Sequence, residues 1–257
     1  MAKIKDWCGR TDTKVKSHNL IYLEADPAKL HVGTAHLAAV VPGHYAAASR
    51  VAHILGRLGK VEAAEYVLKK LPTGPRSRSG DIGEILASSF VSESTGYKMG
   101  VLKLRWKDHR EMAMRGDDIL AVRTDPTVTV RFLKGEVKSR ASLGKKTVEE
   151  ARKALLSSDN RPTPHALSFV ADRLYETGDV ATADLIDEYQ LRKRIKLEQV
   201  SHMMFMFTGS DPSKLLTDDL QAYKGKVKQV AVGLRVKPHQ SFIKGIFGKV
   251  IADGKKS

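Results

Sequence analysis

Cysteine is nearly missing from this chain: Cys8 is the only one in 257 residues, so neither a disulfide framework nor a cysteine zinc site can form within it. Long apolar runs are missing as well. No stretch of about 18 residues is apolar enough, and free enough of charge and proline, to span a bilayer. The opening Met1-Ala2-Lys3-Ile4-Lys5-Asp6-Trp7 lacks the apolar core of a signal peptide. A reducing cytoplasm is the expected setting. Three catalytic signatures are also absent. Without Gly-x-x-x-x-Gly-Lys-Ser/Thr, any ATP-driven step must come from another chain. Without Gly-x-Ser-x-Gly there is no nucleophile elbow. No two histidines have zinc spacing with a third ligand, and His109 stands alone near an acidic turn. Neither an internal repeat nor a low-complexity segment is found.

Negative charge is in short supply. Asp plus Glu number 29 against 44 for Lys plus Arg, a net charge of +15, and the isoelectric point is near 9.8. That excess favours a polyanionic partner, nucleic acid first. The cations cluster at Arg76/Arg78, Arg140, Lys145/Lys146, Arg192-Lys193-Arg194-Lys196 and Lys224/Lys226/Lys228. We take Arg76, Arg78, Arg140, Lys145, Lys146, Arg192, Lys193 and Arg194 as candidate DNA contacts. A solvated cationic surface is the bland alternative.

What is present reads as two parts. Residues 1–75 predict a mainly helical lobe: a short strand at Asn19–Glu24, one apolar stripe at Val51, Ile54, Leu55 and Leu58, and a second at Val61, Ala64, Val67, Leu68 and Leu71. The Pro/Gly/Ser-rich stretch from Pro72 to Gly80 marks the boundary. Residues 76–257 predict an α/β domain. A helix opens at Asp81 with Glu84 in the capping-box position. Extended segments follow at Tyr97–Trp106, Asp118–Arg123 and Thr127–Ser139, with a turn at Asp125-Pro126. Then come helices capped by Thr147 with Glu150, by Thr163 before Pro164, and by Asp179. His202–Thr208 is apolar on both faces, as a covered central strand would be. Val230, Val232, Leu234 and Val236 alternate, predicting a strand with one wet face, and Phe242, Ile243, Ile246, Phe247 and Val250 predict a closing amphipathic helix.

Two acidic clusters on neighbouring strands carry the chemistry. Asp118 stands directly before the apolar run Ile119-Leu120-Ala121-Val122, and Glu136 and Lys138 are two apart, so they share a strand face while Val137 points to the other. A carboxylate at the end of an apolar strand is costly unless it binds something. Asp118, Glu136 and the Val137 carbonyl are therefore the expected ligands of Mg²⁺, with Mn²⁺ an acceptable substitute. Lys138 would sit beside the attacking water. Asp117, next to Gly116, reads as a turn residue, and Glu84 is either a further acid of the site or only a helix cap. The same acid-x-lysine pattern at Asp12-Thr13-Lys14 and Asp253-Gly254-Lys255 lacks a second acidic strand.

The order of a helical Glu84, then Asp118, then Glu136-x-Lys138 on successive strands resembles the PD-(D/E)xK nuclease superfamily, although Asp117 stands where that motif has proline. More narrowly, Arg78-Ser79-Gly80-Asp81-Ile82-Gly83-Glu84-Ile85-Leu86-Ala87, the turn Arg115-Gly116-Asp117-Asp118 and Gly135-Glu136-Val137-Lys138-Ser139 are similar to HamA, the nuclease-subunit family of the bacterial Hachiman anti-phage defence system. The resemblance implies a restriction-endonuclease-like αβββαβ core in which a mixed sheet is flanked by helices. It also implies catalytic roles for Asp118, Glu136, Lys138 and Glu84, DNA cut with little sequence preference, and a HamB-like superfamily 2 helicase that restrains the activity. Two alternatives stay open: a dimeric restriction or junction-resolving nuclease of the same superfamily, and a basic DNA-binding subunit with an inactive site.

Overall fold

The apolar run from His202 to Thr208 lies at the centre of the sheet in the computed structural model, which describes residues 2–112, 114, 116–124 and 130–256. Among the described residues the sheet has seven strands: β1 (Cys8–Val15), β2 (His18–Ala25), β3 (Lys98–Met99), β4 (Ile119–Thr124), β5 (Val130–Arg140), β6 (Val200–Thr208) and β7 (Lys228–Arg235), in the spatial order β1-β2-β7-β6-β5-β4-β3. β6 is parallel to both neighbours, β5 and β7, and β7 is parallel to β2; the outer pairs are antiparallel. Parallel neighbours need crossovers, and the crossovers supply helices that cover both faces.

Met203, Phe205 and Phe207 of β6 enter a large core with Ile82, Ile85, Leu86 and Phe90 of α4 (Pro75–Ser94), Leu37 and Val41 of α1 (Leu30–Tyr45), and Phe242, Ile246 and Phe247 of α9 (His239–Lys256). Met204 and Met206 point the other way, toward α5 (Lys145–Leu156) and α8 (Ser213–Ala222). A third cluster packs β4 and β5 against α6 (Pro164–Glu176) and α7 (Val180–Asp187). The architecture is α/β with a mixed sheet between helical layers, and α4-β3-β4-β5-α5-β6 follows the αβββαβ order expected.

Local departures from the expected elements have physical causes. α4 begins at Pro75 behind Gly74, six residues before Asp81, because proline is well placed in a first turn where its missing N–H is no loss. Glu84 therefore sits in mid-helix and caps nothing. Between Tyr97 and Trp106 only Lys98–Met99 pairs in the sheet, and Lys103–Trp106 is a 3₁₀ turn. Gly100 passes so close to α6 that a Cβ there would lie 2.5 Å from Val170 Cγ1. α5 opens behind Gly144 at Lys145, without a Thr147 cap, whereas Thr163 and Asp179 cap α6 and α7 through the N–H groups of Ala166 and Thr182. The expected wet face of β7 does not exist: it lies between β2 and β6, and a Cβ on Gly233 would meet Pro212 and Leu216.

The boundary expected near residue 75 falls just at the start of α4. On its N-terminal side, α2 (Ala48–Leu58) and α3 (Lys60–Lys70) join α1 as helices, but β1 and β2 extend the same sheet and Leu37 and Val41 share the core of α4. The turn at Asp125-Pro126, the first residues of the expected segment from Thr127, and Arg115 lie outside the described residues.

Candidate active site

β5 outruns its neighbour. Ile119, the first residue of β4, pairs with Gly135, so from residue 136 onward β5 has no strand on that side. The register is fixed sterically: a Cβ at position 135 would lie 2.7 Å from Ile119 Cβ, so only glycine lets β4 approach there. Asp118 fills the resulting notch. Its Oδ2 accepts a hydrogen bond of 2.8 Å from the Val137 N–H, replacing the carbonyl that a longer β4 would have offered. The N–H and C=O of one strand residue point to the same side, so the Val137 carbonyl faces the notch too. Glu136 and Lys138 project side by side from the adjoining face, with Lys138 Nζ 2.6 Å from Glu136 Oε1 and both partly buried.

From the opposite layer α4 brings Glu84. It comes close because its neighbour is Gly83, where a Cβ would be 3.2 Å from Val137 Cγ1 and 3.3 Å from Ser139 Cβ. The three acids lie deep in the fold yet keep some contact with solvent. Burial, then the charge of Asp118, pushes Glu84 up to about 8. Burial and again Asp118 push Glu136 up to about 7, against the opposing pull of Lys138. Asp118 is raised by burial, though Lys103, the Val137 N–H and Lys138 hold it back. Carboxyls crowded and raised in this way, even with lysines beside them, favour a cation.

Oxygen ligands of this kind suit Mg²⁺ or Mn²⁺, and Asp118, Glu136 and the Val137 carbonyl are the residues that could hold one. Among the described residues no three Asp, Glu, His or Cys side chains close on a single point. The available set is thus two carboxylates and a main-chain oxygen, with Glu84 a third acid nearby. Metal binding here must displace protons, which gives the first prediction. The stabilisation conferred by Mn²⁺, read as a rise in Tm, increases between pH 6 and pH 8, since raised carboxyls hold their protons at the lower pH and release them at the higher. A rise that is equal at both pH values, or absent at pH 8, removes this site as the metal site.

Asp117 has other work. Its Oδ2 accepts from the Thr163 N–H at 2.8 Å, its Oδ1 is 3.6 Å from Lys134 Nζ, and its carbonyl accepts from Lys103 Nζ at 2.6 Å. Lys134, 1% exposed, also donates to the carbonyls of Ser157 and Arg161 at 2.9 and 3.0 Å. The pair ties the start of β4 to the loop before α6.

Glu84 opens into a cleft of about 560 Å³ whose walls include Arg76, Lys107 and Arg140. Arg78 is turned away from it: its Nε donates to the Pro72 carbonyl at 2.8 Å and its guanidinium lies 4.9 Å from the centre of the Phe247 ring. Lys145 and Lys146 are exposed at the first turn of α5, shortly after β5 ends. Arg192, Lys193 and Arg194 are exposed at the end of a π-helical turn, Glu188–Lys193, where Lys193 pairs with Glu188 at 2.9 Å. The structure thus sets Arg76 and Arg140 on one cleft with Glu84, a cleft that Asp118, Glu136 and Lys138 do not line, and sets the 192–194 run on the α6–α7 layer.

Two groups beside the acids carry no role in the sequence reading. Lys103 reaches the acids from the 3₁₀ turn, and no spacing signals it. Asp81, 4% exposed, is bonded by Tyr45 Oη at 2.5 Å and by Lys107 Nζ at 2.7 Å, bridging α1, α4 and the segment after β3 beside Glu84. Its helical spacing to Glu84, three residues, was the one available hint.

A family model named HamA matches residues 2–250, nearly the whole chain and all of the acids described above. This chain belongs to the HamA family. It is 26% identical over 249 residues to the Hachiman protein HamA of Bacillus cereus, an alignment covering 94% of this chain and 88% of that protein. The HamA match extends well past the motifs from residue 76 to 140 and takes in β1, β2 and most of α9. Among the described residues of this HamA-family chain, no helix is long and apolar enough to cross a membrane.

Proposed function

We propose that this HamA-family chain is a metal-dependent deoxyribonuclease of the PD-(D/E)xK type, the effector of an anti-phage Hachiman complex, cutting DNA with little sequence preference and restrained by a superfamily 2 helicase. One observation carries the enzymatic part: Asp118 occupies the backbone position that β4 leaves vacant, beside Glu136 and Lys138 on the strand that continues past it. The family match and the name of the Bacillus cereus relative support the setting in a Hachiman system.

Asp118, Glu136 and the Val137 carbonyl would hold Mg²⁺, which when bound would acidify a water and polarise a phosphoryl oxygen. The chain's own groups do the rest. Lys138, already at Glu136, places an ammonium where it favours a hydroxide and opposes the negative charge that grows on the phosphorus oxygens. Glu84, pushed up by burial and by the charge of Asp118, would donate a proton at its carboxyl oxygen to a phosphate or leaving oxygen lying in the cleft. Arg76 and Arg140 would grip the flanking phosphates.

The test is incubation of plasmid DNA with the chain, alone and as purified with its operon partners, in Mg²⁺, Mn²⁺ or EDTA. Metal-dependent cutting is expected; binding with no cutting in any complex would select an inactive DNA-binding subunit. Affinity for DNA should fall by roughly 10³-fold or more between 50 and 200 mM salt if six or more phosphates are contacted. A flat salt dependence would mean that the +15 charge serves another purpose.

The helicase would dock on the α2–α3 hairpin. Leu55, Leu58 and Val61 belong to apolar helical stripes and yet are 45%, 55% and 69% exposed. The other amphipathic candidate, α9, has its apolar face spent on the core. Deleting the whole N-terminal part, residues 1–71, would also strip β1 and β2 from the sheet, so point changes are the cleaner probe. Leu58→Glu with Val61→Glu should abolish co-purification of the helicase and leave the fold intact; a partner that still co-purifies docks elsewhere.

A further inference from the structure

The acids lie by the C-terminal half of β5 and the start of β4, level with the middle of β6. At the opposite ends of the parallel strands, on the layer of α4, there is a separate cavity of about 700 Å³. Along β5, Arg131 is five residues from Glu136, about 16 Å at the rise of a strand. Along α4, Ser94 is ten residues from Glu84, about 15 Å. Nothing in the proposed nuclease reaction uses this place.

Its composition is divided. The floor is apolar, with Ile21, Phe90, Leu133 and Met203. The rim is cationic, with Arg10, Lys14, Arg123, Arg131 and Lys228. Asp12 is the sole carboxylate among the described lining residues, and Arg10 already holds it at 2.7 Å. With Arg10 and Asp12 paired, four cations, Lys14, Arg123, Arg131 and Lys228, surround a low-dielectric concavity, which focuses a positive potential into it. Two of them are oriented by neighbours: the Arg123 guanidinium lies 5.0 Å from the centre of the Tyr97 ring, and Arg131 Nη1 donates to the Glu198 carbonyl while its Nε is buried without a partner. Polar groups for edge recognition are present in Asn19 and in Ser201, whose Oγ is 3.3 Å from Tyr97 Oη.

We propose that this cavity binds a nucleoside phosphate, with the base on the apolar floor and the phosphates on the rim. The volume is in the range of small-ligand sites. A flat, weakly polar ring matches Ile21, Phe90 and Met203, and phosphate oxygens match guanidinium and ammonium donors. The C-terminal end of α4 forms one wall, and its partial negative charge disfavours phosphate there. The phosphates therefore lie on the far side, at Lys14 of β1 and Lys228 of β7, and the base lies toward Tyr97. Neither a glycine-rich phosphate loop nor a helix N-terminus is involved. The site binds and does not hydrolyse.

Such a nucleotide can be free in solution or can be the end of a nucleic-acid strand. Isothermal titration of the full chain, in EDTA so that cleavage plays no part, separates the sources. The probes are ATP, dAMP and a 5′-phosphorylated hexadeoxynucleotide. Saturable binding of ATP or dAMP identifies a free nucleotide; binding of the hexanucleotide alone, dependent on its 5′-phosphate, identifies a strand end. In either case Lys14→Ala with Lys228→Ala should weaken binding by about tenfold or more, and Val230→Phe, which narrows the cavity, should do so without changing charge. Both positions of the charge variant are exposed, so the fold should survive. The control is Lys60→Ala with Lys69→Ala, exposed on α3 and away from the cavity lining. Absence of binding by all three probes, or equal loss in the control and in Lys14→Ala/Lys228→Ala, overturns the proposal and leaves the nuclease reading untouched.

Discussion

Glu136→Gln lowers the rate of DNA cleavage by about 10²- to 10³-fold, a size typical of losing one group that acts on developing charge, with little change in Tm. Lys138→Ala does the same. The expectation rests on where these side chains stand. Neither is part of the apolar clusters, and their closest partner is each other at 2.6 Å, so removing one leaves the strand intact. Glutamine keeps the shape of Glu136 and cannot offer the same charge to a cation. Asp118→Asn should lose cleavage as well, though at some cost to the β5 end, because an amide accepts less strongly from the Val137 N–H. Steady-state cleavage of a fluorescent duplex, with circular dichroism melts as the fold control, measures both. Undiminished metal-dependent cutting by Glu136→Gln or Lys138→Ala would remove these residues from the reaction.

Asp117 and Lys134 are expected to matter for stability on a comparable scale. Lys134→Met leaves the Asp117 carboxylate buried with only the Thr163 N–H, and leaves the Ser157 and Arg161 carbonyls without their shared donor. Breaking a buried pair from one side costs about 3–5 kcal/mol. Asp117→Asn should be milder, because the amide oxygen still accepts from Thr163. The double change Asp117→Asn with Lys134→Met should recover part of the loss, since no uncompensated charge then remains. Urea denaturation at pH 7 gives all three numbers. A loss under about 1 kcal/mol for Lys134→Met would mean that solvent reaches this pair freely.

How much of this was legible beforehand depended on whether a residue's role is set by its neighbours in sequence or by distant ones. The core strand β6 and the acid-bearing ends of β4 and β5 were readable, because apolar content and two-residue alternation are local properties. β1 was not. It is an edge strand whose six middle residues are exposed, and an edge with little to bury shows no alternation. The start of α4 lies six residues before the expected Asp81, because Asp81-x-x-Glu84 imitates a capping box while the true signal, Gly74-Pro75, sits inside the stretch that reads as a boundary. Lys134 had the same parity as Glu136 and Lys138 and so was visible on their face. That it pairs with Asp117 depends on the loop at Ser157–Arg161, brought there only by α5. Lys103 lay beyond sequence reasoning altogether, since its position follows from a turn forced by the close passage of Gly100 against Val170.

The fit of Gly135 beneath Ile119 has a further meaning for how such a protein comes to be made. A hairpin strand that pairs one residue out of step turns its whole side-chain set to the other face. Here a slip would press Ile119 against a residue with a side chain and draw the Asp118 carboxylate away from Val137. The notch that holds Asp118 beside Glu136 and Lys138 therefore cannot assemble on a mispaired hairpin. Under the proposed nuclease reading, correct folding and armament would be a single event, and a chain that errs during synthesis would be harmless to the cell that carries it.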